Sequence, residues 1–98
     1  MKPDRVILEV SHETGSSVVD LLGNHRPEPL VTHRILAVKL CREFCGMSYV
    51  NAAKFFGKKN HTSTLHALRA ADARIETEPR AWRIYESVRQ RLLEANAA

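Results

Sequence analysis

The sequence has little of the material from which several common kinds of site are built. Its 98 residues include only four glycines, and the phosphate-binding patterns G-x-x-x-x-G-K-[ST] and G-x-G-x-x-G are both absent. Apolar runs are a few residues long, so we expect no membrane span. The opening MKPDRVILEV alternates charged with apolar residues, unlike a signal peptide. We therefore expect a single cytoplasmic domain over residues 1–98.

Cysteine is also scarce, and the few candidate reactive groups are poorly arranged for chemistry. Cys41 and Cys45 lie one helical turn apart, but no second Cys/His pair completes the three or four ligands that zinc needs. Buried thiols in a reduced core explain them better. His61 and Ser63 suggest a nucleophile, yet residues two apart on a helix diverge by about 200°. We expect no metal, no cofactor and no enzymatic activity.

Acidic residues are nearly missing from the middle third of the chain. Between Val31 and Arg69 there are seven cations and one anion, Glu43, although the whole chain has a formal net charge of only +4. A concentrated positive charge favours an anionic partner, with nucleic acid as the leading candidate. A solvated basic face without a partner accounts for the charge equally well. The cations are Arg34, Lys39, Arg42, Lys54, Lys58, Lys59 and Arg69.

The apolar spacing is helical throughout, and strict strand-like alternation is hard to find. A first helix ends at Gly15, and SSVVDLLG predicts a short helix capped by Ser16 or Ser17. NHRPEPL, with its two prolines, predicts an extended loop. A long, largely buried helix should then run from about Thr32 to Cys45. Its apolar faces would be Ile35, Val38, Cys41 and Cys45, widened by Leu36, Leu40 and Phe44.

Three further helices are predicted in the second half of the sequence. Ser48 should cap YVNAAKFF, and Asn60 should cap the helix after the GKKN turn. Pro79 should begin the last helix, capped by Thr77 or Glu78. We expect Leu65, Leu68, Asp72 and Ile75 to mark the phase of the fifth helix, and Trp82, Tyr85, Val88 and Leu92 to be buried in the last helix.

GKKNHTSTLHALR, residues 57–69, gathers short polar side chains at a helix start, directly after a basic turn. Two helices joined by a short turn with glycine form the skeleton of a helix-turn-helix. In that motif the first turn of the second helix faces base edges in the major groove, which are read by hydrogen bonds and by contact with the thymine methyl group. The alternative is that these residues only cap a helix and the lysines are only solvent-exposed residues of a turn.

FFGKKNHTSTLHALR resembles the signature of the C-terminal DNA-binding domain of DnaA, the bacterial replication initiator, in which Gly-(Gly)-Arg-Asp-His-Thr-Thr-x-x-His-Ala is typical. VVDLLG and THRILAVKLCREFCGMSYVNAAKFFG are similar to the short and long helices of that family, and the similarity extends without a gap over about residues 6–92. The resemblance implies an all-α fold of about six helices, of the DnaA C-terminal (Trp-repressor-like) helix-turn-helix type. It also implies sequence-specific binding to double-stranded DNA at a DnaA-box-like site, in replication initiation or its regulation.

The resemblance also implies which residues contact DNA. His61 and Thr62 match a base-contacting His-Thr pair in the major groove, Asn60 stands where a base-contacting Asp is usual, and Arg26 matches an arginine that reaches into the minor groove. Contacts to the DNA backbone are expected from the positions that match, or lie beside, the motif of the family: Arg34, Ser48, Lys58, Lys59, Ser63, His66 and Arg69.

Two departures from the family pattern affect the expected DNA contacts. The loop NHRPEPL keeps only Arg26, with Glu28 where a cation is common, and lost phosphate contacts would weaken binding. A carboxylate can accept from cytosine, whereas the amide of Asn60 can pair with adenine, so the preferred site can differ from the DnaA box. No nucleotide-binding AAA+ module is present, as expected either for a domain of a longer initiator or for a small protein that kept the DNA-reading part.

Two alternatives remain open at this point. The chain could be an interaction module for a replication or regulatory protein, which Glu28 favours and the His61-Thr62 pair opposes. It could also be a transcription regulator that reads another site, although that would require a dimer and no spare apolar helix face suggests one. We expect a monomer in isolation, associated with the nucleoid.

Overall fold

The computed structural model describes residues 1–97, and these residues form six α-helices and no strand. The all-α prediction and the expected number of helices are therefore confirmed. The helices are α1 (Pro3–Thr14), α2 (Val18–Leu21), α3 (Leu30–Cys45), α4 (Tyr49–Phe55), α5 (Thr62–Thr77) and α6 (Pro79–Ala97). Within the described residues, no helix is long and apolar enough to cross a membrane.

Short polar residues and glycines set the predicted helix ends. Ser17 Oγ accepts a hydrogen bond from the Asp20 amide at 3.1 Å, and Ser48 Oγ accepts one from the Asn51 amide at 3.0 Å. Each serine thus satisfies one of the free N–H groups of a helix start. Gly15 ends α1 in the left-handed region at φ 80°, a conformation that other residues adopt at a cost.

Helix α3 lies at the centre of the molecule, as its continuous apolar pattern predicts. It contacts all five other helices and buries ten of its residues. Leu36, Ala37, Leu40 and Cys41 are completely shielded from solvent. Burial raises the pKa of the Cys41 thiol, so this cysteine is a core residue rather than a reactive group. Helix α3 therefore forms the support on which the other five helices pack.

The predicted phase of α5 is wrong by about one residue. Thr64 and Ala71 are the buried positions, whereas Asp72 is exposed and pairs with Lys39 at 2.8 Å. Leu68 and Ile75 pack partly against the core. The helix packs against its neighbours through small side chains, which allow a closer approach than leucine would. Counting large apolar residues alone therefore misplaces its inner face.

Trp82 is not a core residue, contrary to the prediction for α6. Its side chain is 47% exposed, whereas Tyr85 is 7% exposed. The inner face of α6 runs through Ala81, Tyr85, Val88 and Leu92, at the spacing of one helical stripe. The first residue of this buried stripe is Ala81, whereas the prediction placed Trp82 there.

Candidate nucleic-acid interface

Helices α4 and α5 and the six residues between them form the helix-turn-helix predicted from the sequence. Gly57 has φ 72°, and the Lys58 amide donates to the Ala53 carbonyl at 2.8 Å, which closes the turn. A second contact links the two helices directly. Thr64 Oγ1 donates to the Tyr49 carbonyl at 2.8 Å, and Thr64 is only 2% exposed. This hydrogen bond ties the start of α5 to the first residue of α4.

Asn60 organises the first turn of α5. Its Oδ1 accepts hydrogen bonds from the Thr62 amide at 2.9 Å and from Thr62 Oγ1 at 2.8 Å. The helix begins one residue later than predicted, with His61 at its N-terminal boundary, and Asn60 caps it from outside. Because this oxygen already accepts two hydrogen bonds, the amide nitrogen of Asn60 is the group left to donate to a ligand.

The neighbouring polar side chains differ in how freely they can reach a ligand. His61 is exposed, and no hydrogen bond holds its ring within the described residues. Thr62 is half-buried with its hydroxyl directed at Asn60, which leaves its methyl group as an apolar contact. Ser63 Oγ donates to the Asn60 carbonyl at 2.8 Å. The first turn thus presents an imidazole, an amide and a methyl group on one local surface.

The loop of residues 22–29 lies beside this turn. Lys58 Nζ donates to Asn24 Oδ1 at 2.8 Å, so the turn and the loop are joined by a side-chain contact. Arg26, at the exposed part of the loop, shares the wall of one cavity with Lys58, Ser63 and His66. The fold therefore brings residues from two distant parts of the sequence to the same region.

Arg34 is placed differently from the other predicted DNA contacts. Its residue exposure is 8%, and its guanidinium donates to the carbonyls of Asp20 at 2.7 Å, His25 at 2.8 Å and Leu21 at 3.1 Å. A side chain held this way fixes the path of the loop that carries Arg26. Arg34 thus holds the loop in place, and the contact with phosphates that the resemblance implies for it stays a prediction.

Two other cations in the basic middle third also have internal partners. Lys39 pairs with Asp72 at 2.8 Å, and the Arg42 guanidinium donates to the Met47 carbonyl and lies 4.5 Å from the centroid of the Tyr49 ring. These contacts stabilise the packing of α3 against α5 and against the turn before α4. Lys59 and Arg69 remain exposed, and Ser48 is exposed at the start of α4.

Glu28 forms hydrogen bonds within the fold that could not be predicted from the sequence. Its carboxylate accepts from the Thr32 amide at 3.0 Å, near the start of α3, and from Arg74 Nη1 at 2.7 Å. The hydrogen bond from Arg74 holds the pKa of Glu28 below its usual value. Glu28 therefore caps α3 and joins it to α5.

The exposed polar residues of the first turn could be predicted from the sequence, whereas the residues that hold α5 in place could not. Thr64 was read as part of a polar run, although its place four residues after the cap residue Asn60 is a position that can turn inward. Arg74 gave no local signal, because its partner Glu28 lies 46 residues away in sequence. No group of three or more potential metal ligands occurs within residues 1–97.

Comparison with known sequences identifies close parallels to this arrangement. A family profile described as "Bacterial dnaA protein helix-turn-helix" matches residues 3–70, which include α1 to α4 and the first half of α5. The chain is 42% identical over 65 residues to the chromosomal replication initiator protein DnaA of Cutibacterium acnes, over 66% of this chain and 13% of that protein. It is 30% identical over 84 residues to the DnaA protein of Pelobacter propionicus, over 86% of this chain and 19% of that protein.

A solved structure shows the same fold. The crystal structure of a DNA replication initiation factor superposes with a TM-score of 0.75 at 22% sequence identity, over 92% of this chain and 29% of the other. This likeness covers more of the chain than residues 3–70, which the family profile matches. The chain thus spans less than a third of the length of each of these three proteins.

Proposed function

Because the chain belongs to the family of the bacterial DnaA protein helix-turn-helix, we propose that it binds double-stranded DNA in a sequence-specific manner through α4 and α5. The observation that carries the proposal is the first turn of α5. There Asn60, His61 and Thr62 present polar and methyl groups to solvent while Thr64 locks the helix onto α4. A recognition helix needs this combination of an exposed first turn and a fixed orientation.

In this proposal α5 enters the major groove with its N-terminal end toward the bases. The exposed imidazole of His61 and the amide nitrogen of Asn60 donate to acceptors on base edges, and the methyl group of Thr62 contacts a thymine methyl group. The positive end of the α5 dipole lies at the same place and favours the approach of phosphates.

Arg26 would probe the adjacent minor groove from the loop that Arg34 holds. An arginine in a narrow minor groove is favoured by its strong negative potential, especially in A·T-rich DNA. We expect Arg26→Ala to weaken binding most on duplexes with A·T-rich flanks, measured by fluorescence anisotropy. Arg80→Ala, an exposed arginine on α6 far along the chain, serves as the matched control. An Arg26→Ala loss that is the same for G·C-rich flanks would exclude the minor-groove role.

Backbone contacts in this proposal come from the basic turn and its surroundings. Lys58, Lys59 and Arg69 neutralise phosphates, and Ser48 and His66 donate hydrogen bonds to them. Ser63 donates to a phosphate once its hydroxyl turns away from the Asn60 carbonyl. Each neutralised phosphate contributes a slope of about −0.9 to the plot of log affinity against log salt concentration. The affinity should therefore depend steeply on salt, less so for variants that lack one of these lysines.

The biological setting follows from the relatives, which are named as chromosomal replication initiator proteins. We propose that this chain recognises a DnaA-box-like site in replication initiation or its regulation, as a nucleoid-associated domain whose role is recognition rather than catalysis. Glu28 no longer favours the interaction-module alternative, because its carboxylate is engaged by Thr32 and Arg74.

Fluorescence anisotropy at several salt concentrations tests the proposal. Labelled duplexes carrying a DnaA box and a scrambled version of it are titrated with the protein. We expect binding to the box to be about 10³-fold tighter or more at moderate salt. Equal and steeply salt-dependent binding to both would retain DNA binding but reject the box as the target. No binding at low salt would reject DNA binding altogether.

A further inference from the structure

A cavity of about 310 Å³ lies between α3, α4, α5 and the loop of residues 22–29. Its size is at the lower end of the range that small-molecule sites in proteins occupy. Most of its wall is apolar and comes from three helices that the core holds in place. The apolar lining includes Val31, Ile35, Val38, Phe56, Ala67 and Ala70.

The polar part of the same wall carries positive charge. Arg26, Arg34 and Lys58 border the cavity together with His66, Asn24, Ser63 and Thr64, and no acidic residue does so. Arg34 is the most unusual of these groups, since it is more than nine-tenths buried and its charge has no carboxylate ion-pair partner within residues 1–97. Three of its five N–H groups donate to backbone carbonyls, which leaves two that have no assigned acceptor.

We propose that this cavity binds a small amphipathic anion, which is an apolar body that carries one carboxylate, sulfonate or phosphate group. The anionic group would accept from Arg34 and from the cations at the rim, Arg26 and Lys58. The apolar body would cover Ile35, Val38 and Ala70. A neutral apolar molecule would leave the buried charge of Arg34 without a counter-ion, and a small inorganic anion would leave the apolar wall uncovered. Only a ligand with both parts matches both halves of the cavity.

Such a ligand would compete with DNA. Arg26, Lys58, Ser63 and His66 border the cavity and also belong to the proposed DNA surface, so an anion bound there neutralises charges that DNA needs. This consequence rests on the proposed function, whereas the binding of the anion itself does not. The two can therefore fail separately.

Two dyes with the same kind of apolar body separate the contributions of shape and charge. Anilinonaphthalene sulfonate carries an anionic group, and phenylnaphthylamine is its neutral counterpart. Fluorescence titration of the native protein at neutral pH should give one site for the sulfonate, with affinity at least about tenfold higher than for the neutral dye. NMR amide shifts caused by the sulfonate should centre on Val38, Ala67 and Ala70. Equal affinity for both dyes, or shifts centred elsewhere, would overturn the proposal.

Variants place the sulfonate dye in the cavity. Ala70→Leu should fill the space and lower the affinity by about tenfold or more, while Ala73→Leu, at an exposed position of the same helix, should leave it unchanged. Arg26→Gln removes one charge at the rim of the cavity, on an exposed loop residue, and should lower the affinity severalfold. This variant tests the proposal if Ala70→Leu does not fold. Unchanged affinity in the folded variants would overturn the proposal. Displacement of a labelled duplex by the dye is measured separately: its absence while the dye binds would reject only the competition.

Discussion

At the scale of the residue, Asn60 has two tasks that different substitutions separate. Its Oδ1 caps α5 by accepting from the Thr62 amide and hydroxyl, and in the proposed complex its amide nitrogen donates to a base. An aspartate at this position would keep the acceptor that caps the helix but would lose the outward donor. The structure shows the capping contacts, and the contact with a base stays a prediction.

We expect Asn60→Ala to lower the free energy of unfolding by about 0.5–2 kcal/mol, because the cap of α5 is lost. Asn60→Asp should retain this stability, since a carboxylate caps equally well and favours the positive end of the helix dipole. Urea unfolding of both variants measures the effect. If Asn60→Ala unfolds at the same urea concentration as the native protein, Asn60 does not cap the helix in solution.

The same aspartate variant tests base reading. In a selection from random duplexes, Asn60→Asp should change the preferred base at one position of the site toward a pair whose cytosine can donate to the carboxylate. All other positions should keep their preference. An unchanged site would show that residue 60 only caps the helix, and a change spread over many positions would indicate a shifted helix instead.

At the scale of the element, the orientation of α5 depends on a few small contacts. Thr64 joins α5 to the first residue of α4, and Glu28 with Arg74 joins α5 to the start of α3. Both contacts leave the exposed first turn untouched. Substitutions in the exposed first turn can therefore leave both of these contacts in place.

Thr64→Val tests the contact between α4 and α5. Valine keeps the shape of threonine but cannot donate to the Tyr49 carbonyl, so we expect a loss of about 1 kcal/mol in the free energy of unfolding. Thr77→Val is the control, because its hydroxyl donates to the Ala73 carbonyl within one helix at an exposed position. Equal losses for the two variants by urea unfolding would show that the hydrogen bond between α4 and α5 stabilises the protein no more than one within a single helix.

The elements themselves could largely be predicted from the sequence, because caps, glycines and apolar spacing are local signals. Ser17, Ser48 and Gly15 marked helix ends correctly. The inner faces of α5 and α6 could not be predicted as well. There Thr64, Ala71 and Ala81 make the contacts, and small residues carry little hydrophobic signal although they pack most closely. Trp82 was misplaced for the same reason.

The candidate site could likewise be predicted only in part from the sequence. The exposed first turn of α5 follows from a continuous stretch of sequence and from its resemblance to the DnaA family. The internal roles of Arg34, Lys39 and Arg42 depend on partners distant in sequence or on backbone carbonyls, which no local pattern reveals. The net charge of the middle third therefore overstates the number of cations that have no internal partner.

At the scale of the whole molecule, a buried histidine couples stability to pH. His33 is 7% exposed, and its Nδ1 lies 2.7 Å from Ser16 Oγ, between the start of α3 and the segment after α1. Burial lowers the pKa of His33, an effect that the charge of Glu28 opposes and that of Arg80 supports. The folded protein therefore holds the proton of His33 less tightly than the unfolded chain does.

We expect the stabilising effect of neutral His33 to be complete above about pH 6.5 and to be lost as the pH falls below that value. One proton can contribute at most about 1.4 kcal/mol per pH unit. Urea unfolding between pH 7.5 and 5.5 measures the slope, which His33→Gln should reduce and the exposed control His12→Gln should not. The carboxylates of Glu13 and Glu28 have lowered pKa values, so their protonation affects stability at lower pH than the protonation of His33 does. A slope unchanged by His33→Gln would assign it to other groups.

The central claim is that the first turn of α5 reads bases, and the most direct test is the ratio of two dissociation constants. Fluorescence anisotropy at moderate salt gives this ratio, for scrambled against DnaA-box duplex, for the native protein and for a variant with both His61→Ala and Thr62→Ala. We predict a ratio of about 10³ or more that falls by about 10²-fold or more in the variant, while affinity for the scrambled duplex stays nearly constant. An unchanged ratio, or an equal loss on both duplexes, would contradict the claim.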